Sequence, residues 1–347
     1  MIRTWLTGLM VLLALTAPGC SKETPQPQTD TAGQTGEKAV SGSADLPLAD
    51  PRALHSVIRD KVSGSVDLPL AEPGALPVEL ANIDAYVGKR SKTEGPVADS
   101  EGNVYFSDPY GTKLYKWSPV SGLSIFTEQF NGPNGLAFDK DGNLIAVEAY
   151  NRRVAMLDRN GQIKVLTDSY NGKKYNEHND IFIDKNGGIY FSDPYFHVHS
   201  DSLVQDVHGM YYITPDRARV IRVIDDMGDP NGIASSPDGS LLYVIDTGER
   251  KTYVYTVNPD GTLRDKKLFV PWGIDGLAVD SEGNVYITGA EDYVQVYNPQ
   301  GENIGKITVP ITKGHTANVC FGGKDNKTLF ITAGNSLFSL KMRVSGM

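Results

Sequence analysis

From about residue 94 onward the chain is a succession of short apolar runs separated by polar turns. The runs are rich in Val, Ile, Leu, Phe and Tyr, as in "VYFSD", "LIAVE", "IYFSD", "LLYVID", "VYITG" and "TLFIT". Runs of this length, β-branched or aromatic and bounded by Gly, Asp and Asn, predict strands. The turns recur as well: "DSEG", "DKDG", "DKNG" and "SPDG" follow the first strand of successive units, and "DRNG", "NPDG" and "NPQG" mark later hairpins.

The strands are organised in a long repeat. A unit begins at Glu94 as "EGPVADSEGNVYFSD" and returns at Asn134, Asn179, Asn231, Asp275 and Asn318, in steps of 40, 45, 52, 44 and 43 residues. After Asn134 the chain reads "GLAFD", "NLIAVE", "RRVAMLD" and "IKVLTD", four short strands in one unit. Four strands at a period of ~40–45 residues predict a propeller blade. The expected fold is an all-β, six-bladed β-propeller over residues 79–347, with four antiparallel strands per blade. A β-sandwich would not repeat so regularly. Closure of the last blade by an outer strand from residues near 80–90 is expected.

In each unit one polar residue stands five positions before the residue that leads the turn. The six are Glu94, Asn134, Asn179, Asn231, Asp275 and Asn318. The inner strand of every blade runs beside the propeller axis, so equivalent positions at its start form a ring round one mouth of the channel. All six side chains offer oxygen and none offers sulfur or imidazole, a set suited to a hard cation: Ca²⁺ first, with Mg²⁺, Mn²⁺ or Zn²⁺ as substitutes. The competing reading is a repeated turn device, since Asn and Asp are favoured in turns. A second repeated acid follows the second strand, at Asp108, Glu148, Asp193 and Asp246. These are expected to cap turns, with Glu148 the least turn-like and a candidate substrate contact.

These residues resemble the gluconolactonase and regucalcin-like (senescence marker protein) lactonases. The stretches "TEGPVAD", "PNGLAFDKDGNLIAVEAYNRRV", "YNGKKYNEHNDIFIDKNGGIYFSDPYF", "PNGIASSPDGSLLYVIDT", "IDGLAVDSEGNVYI" and "NVCFGGKDNKTLFITA" follow in the family's order. The resemblance implies a divalent metal at one end of the channel, with Glu94, Asn231 and Asp275 as ligands and Asn179 close to metal and substrate. Asn134 and Asn318 complete the expected substrate ring. One departure concerns "NEHND": Glu177 stands where the animal lactonases carry a substrate-binding Arg, and His178 follows it. Glu177 thereby becomes a candidate substrate contact, and a sugar-acid lactone is put in question.

The expected chemistry is metal-dependent opening of a sugar or other small lactone, with Asp275 or His178 taking the proton from water. Two rivals are carried. One is a phosphotriester or aryl-ester hydrolase on the same centre, and the other a non-catalytic surface lipoprotein that uses the propeller as a binding platform. His197, His199 and His208 fall in one excursion after "SDPYF", expected to form a lid. His315, in "GHTAN", is a further candidate base, and Cys320 reads as a buried strand residue.

The amino end and the composition set the address. Residues 1–20, "MIRTWLTGLMVLLALTAPGC", read as a secretory signal ending in a lipobox-like Gly19–Cys20. Residues 21–78 are rich in Pro, Ser, Thr, Gly and Gln and read as a disordered tether. Within them "VSGSADLPLADPRAL" at 40–54 returns as "VSGSVDLPLAEPGAL" at 62–76. Only Cys20 and Cys320 exist, so a lipid on Cys20 leaves no intramolecular disulfide. The net charge of −9 argues against nucleic acid and against an electrostatic membrane surface. The expectation is an envelope protein, outer-membrane-anchored or periplasmic, touching the membrane only through a lipid on Cys20, monomeric, with a small lactone or ester as its partner.

Overall fold

The computed structural model describes residues 64–88, 91–197 and 203–347. The signal at 1–20, the first copy of the duplicated stretch at 40–54 and His199 lie outside the described residues. Among the described residues six sheets of four or five antiparallel strands follow one another along the chain, the first four of them simple meanders. Blade one comprises Glu94–Ala98, Val104–Ser107, Leu114–Ser118 and Gly122–Thr127. The inner strands of blades two to six are Pro133–Phe138, Ile181–Ile183, Pro230–Ser235, Leu277–Val279 and Thr316–Gly322.

Burial explains why the second strand of each blade is an unbroken apolar run rather than an alternating one. Val104–Ser107, Leu144–Glu148, Ile189–Asp193 and Thr328–Ala333 are buried at every position, because a neighbouring blade covers each face. The outer strand of blade one, Gly122–Thr127, faces solvent over half its length. Six hydrophobic clusters result, one at each interface between adjacent blades. Tyr105, Leu136 and Leu144 join blades one and two, for example, and Val147, Phe191 and Tyr211 join two and three.

The first turn of each unit is held by its leading acid. Asp99 Oδ1 accepts from the backbone N–H of Glu101 and Asn103 at 2.9 Å each. Asp139, Asp184 and Asp280 repeat the device. A short carboxylate closes its own turn in this way wherever the backbone needs a donor satisfied.

The ring closes as expected, through an amino-terminal strand. Val78–Asn82 is the outermost strand of blade six, paired with Ser336–Lys341. The boundary expected at residue 78 requires correction. Ser65–Asp67 forms a fifth strand on blade five against Asn303–Thr308, and Leu68 and Ala71 are buried between blades five and six. The second copy of the duplicated stretch therefore belongs to the fold from residue 64. A composition averaged over residues 21–78 conceals two core residues among prolines and glycines.

Candidate metal centre and active site

The ring residues sit where each inner strand departs from regular pairing. The register shifts between Glu94 and Val97, between Pro133 and Leu136, between Pro230 and Ile233, and between Thr316 and Asn318. Such bulges re-aim side chains at the rim of a sheet. In blades three and five, Asn179 and Asp275 precede the inner strand itself. Crowding at the axis explains the glycine that follows most ring residues. A Cβ on Gly95, whose φ is +42°, would overlap the carbonyl of Asn134, and one on Gly276 would overlap the side chain of Asn318.

Glu94 and Asp275, from blades one and five, converge on one point. That point is occupied by the ammonium of Lys92, 2.5 Å from Glu94 Oε1 and 2.7 Å from Asp275 Oδ2. Asn231 joins them, its Nδ2 donating to Asp275 Oδ1 at 3.3 Å, to Thr247 Oγ1 and to the carbonyl of Ile274. His315 Nε2 lies 3.5 Å from Asp275 Oδ2 and is about one-third exposed. Glu94, Asn231 and Asp275 are buried.

Electrostatics at this point are strongly perturbed. Burial, reinforced by the charge of Asp275, pushes Glu94 up to about 7. Burial opposes ionisation of Asp275 too, but Lys92 and His315 outweigh it and hold that carboxyl below its usual range. The Lys92 ammonium is held protonated against its own burial by Asp275 and Glu94.

The donor set fits a hard divalent cation. Two buried carboxamide oxygens, Asn134 Oδ1 and Asn231 Oδ1, accept no hydrogen bond. A buried acceptor without a donor costs ~1–3 kcal/mol, and a cation relieves that cost. Asn231 Oδ1 stands on the side chain that already touches Asp275, so Glu94, Asn231 and Asp275 would hold the ion. Asn318 contributes less, since its Oδ1 accepts from the backbone N–H of Val319 at 2.8 Å. Asn179 is half-buried at the same mouth, its carbonyl accepting from Gly135.

Three sequence expectations are corrected. His178 has a side chain fully enclosed between Tyr175 and Phe191, 3.0 Å from Asp193, and cannot meet a substrate. Glu177 is buried and accepts from the backbone of Phe196 at 2.6 Å, fixing the start of the excursion. Glu148 is buried and binds the backbone of Asn131, the Asn151 side chain and Arg153. Asp246 likewise clasps Gly228 and Asp229. These acids anchor the loop that leads into an inner strand. In the excursion, His208 pairs with Asp229 at 2.8 Å and His197 lies edge-on to Tyr195. Cys320 lies in the inner strand of blade six, with burial pushing its thiol up to about 12.

Two residues of the centre escaped sequence reasoning. Lys92 lies two positions before a ring residue, outside the repeat as it reads from Glu94. Asp180 stands where four other units have glycine. Its carboxylate accepts from the backbone of Ile233 at 3.1 Å, and burial pushes it up to about 7, with Glu94 and Asp275 adding to the shift. It stands at a channel cavity of about 400 Å³ whose walls include Leu136, Ile183, Ala234 and Val279.

Residues 92–335 match the family described as the SMP-30/Gluconolactonase/LRE-like region. The chain belongs to this family. A gluconolactonase of Zymomonas mobilis is 30% identical over 286 residues, covering 73% of this chain and 79% of that protein. A lactonase, drp35, of Staphylococcus epidermidis is 26% identical over 237 residues, 64% of this chain and 71% of that one. Among solved structures, a gluconolactonase from Xanthomonas campestris superposes with a TM-score of 0.71 at 27% identity, covering 81% of this chain and 94% of that one. A calcium-binding protein, regucalcin, from Agrobacterium tumefaciens shares the fold, with a TM-score of 0.62 at 19% identity over 74% of this chain and 92% of that one.

Proposed function

We propose that the protein is a divalent-metal-dependent lactonase whose centre is formed by Glu94, Asn231 and Asp275. The observation that carries this reading is the convergence of two buried carboxylates from blades one and five on a single cation position, with an unpaired amide oxygen beside them. The gluconolactonase and lactonase names of its relatives support lactone hydrolysis. Calcium is the expected ion, since the ligands are all oxygen.

When bound, the ion would polarise an ester carbonyl and stabilise the charge developing on its oxygen. The chain supplies the remaining parts. Asp275 orients His315 from 3.5 Å, and the partly exposed imidazole is the group placed to accept a proton from water at the mouth. Asn179 and Asn134 border the same mouth and would orient the lactone. No arginine is supplied from position 177, where a buried Glu stands. That absence disfavours a sugar-acid lactone as the substrate, so other small lactones, phosphotriesters and aryl esters belong in the substrate screen.

The test combines ion content with hydrolysis. Glu94→Gln and Asp275→Asn should each abolish stoichiometric ion binding and lower lactone hydrolysis by roughly 100-fold or more. Unchanged ion content and unchanged hydrolysis in both variants would refute the enzyme reading in favour of a binding platform. We further propose that the protein is an envelope lipoprotein held by Cys20. Palmitate labelling of the full-length chain, lost in Cys20→Ser, is the expected outcome.

A further inference from the structure

Lys92 stands two residues before Glu94, just ahead of the inner strand of blade one, and its ammonium meets the Glu94 carboxylate. Its side chain reaches across the mouth to blade five. Charge-assisted hydrogen bonds at 2.5 and 2.7 Å tie its ammonium to the same two carboxylates that the cation would use. A divalent ion needs those oxygens at ~2.0–2.6 Å. An ammonium and an ion cannot both hold them, because both would crowd one small space and repel each other. The lysine stem is long and flexible, and the side chain is one-fifth exposed, so it has a route out to solvent.

We propose that Lys92 is a tethered competitor for the divalent cation. In the ion-free protein its ammonium neutralises Glu94 and Asp275 and keeps the centre assembled. Ion binding expels it into the mouth. A competitor on the same chain acts at a high and constant effective concentration. It therefore weakens ion affinity by a fixed factor and sets the ion level at which the centre fills. The position is particular to the first unit. The residues two before the other ring positions are Gly132, Glu177, Asp229, Gly273 and Thr316, none of them a cation. This inference rests on the cation site proposed above.

The test is calorimetric titration of the ion-stripped full-length protein with Ca²⁺ and with Mn²⁺, together with its melting temperature. Lys92→Met should bind both ions at least about tenfold more tightly, as expected for removing a like charge within a few ångströms. Its ion-free form should melt below wild type, because two buried carboxylates lose their counter-charge, and added Ca²⁺ should restore it. Lys92→Arg keeps the charge and should not tighten binding, which holds the test open if the methionine variant folds poorly. Equal affinities for wild type and Lys92→Met would overturn the competitor while leaving the cation site standing. No binding by either protein would overturn both. Binding by Lys92→Met alone would support the proposal in its strongest form.

Discussion

Glu94 and Asn134 occupy equivalent places in the repeat, yet one carries charge to the axis and the other an unpaired oxygen. The repeat made these positions legible, because six copies five residues ahead of a turn cannot be missed. What is unique to one copy was hidden for the same reason. Lys92 and Asp180 have no counterparts in the other units, so no period pointed to them. His178 failed differently: its neighbours in "NEHND" gave no sign of burial, whereas the fold places it against Tyr175 and Phe191. His178→Ala should lower stability by about 2–4 kcal/mol, through a cavity and a stranded Asp193. Hydrolytic kcat/KM should stay within roughly twofold of wild type, since the ring touches no substrate. Thermal melting and steady-state assays check the two halves, and a large loss of turnover at unchanged stability would return His178 to the chemistry.

At the scale of strands and turns, the acids that lead the turns were read correctly as punctuation, and the structure shows their bonds. Where Ser236 leads the turn instead, Asp238 two positions on takes over that part. Its carboxylate accepts from the hydroxyls of Ser236 and Ser240 and from the backbone N–H of Ser240, and these bonds lower it to about 2. A carboxyl lowered on folding stabilises above its unfolded value, near 4, and that stabilisation is lost as pH falls through about 2. Asp238→Ala should therefore melt below wild type at pH 7, by about 2–4 °C, kept small by solvent screening. The gap should close as the pH is lowered toward 2, and a gap that persists there would remove the charged turn as its cause. The bulges at the ring were not legible, since no residue type marks a register shift. They follow from steric crowding where inner strands meet at the axis.

Across the whole molecule, six blade interfaces carry the hydrophobic core, and the amino-terminal segment completes two of the blades. The six-blade count was legible from the period, and the closing strand, expected near residues 80–90, is Val78–Asn82. The strand at Ser65–Asp67 was not legible, because it is three residues long and sits among prolines and glycines. Two truncations separate the contributions. A chain starting at residue 78 loses Leu68 and Ala71 from the core and should still fold, with a melting temperature lower by several degrees. A chain starting at residue 84 loses the closing strand and Ile83, and should be recovered mainly as aggregate. Equal melting temperatures for chains starting at 64 and 78 would deny the fifth strand of blade five any stabilising part.

The bond from Asn82 to Ser336 spans 254 positions of the chain. On a ribosome working at ~5–20 residues per second, the first half of that bond waits roughly 10–50 s for the second. During this interval the earliest strand has no mate, and until residue 275 is made the carboxylate of the first blade has no partner in the fifth. Blades one to four hold their own antiparallel pairings, but the two carboxylates meet only once blade five is present. The meeting of the first and last strands, and of the carboxylates of blades one and five, thus joins parts of the chain that are far apart in sequence wherever folding takes place.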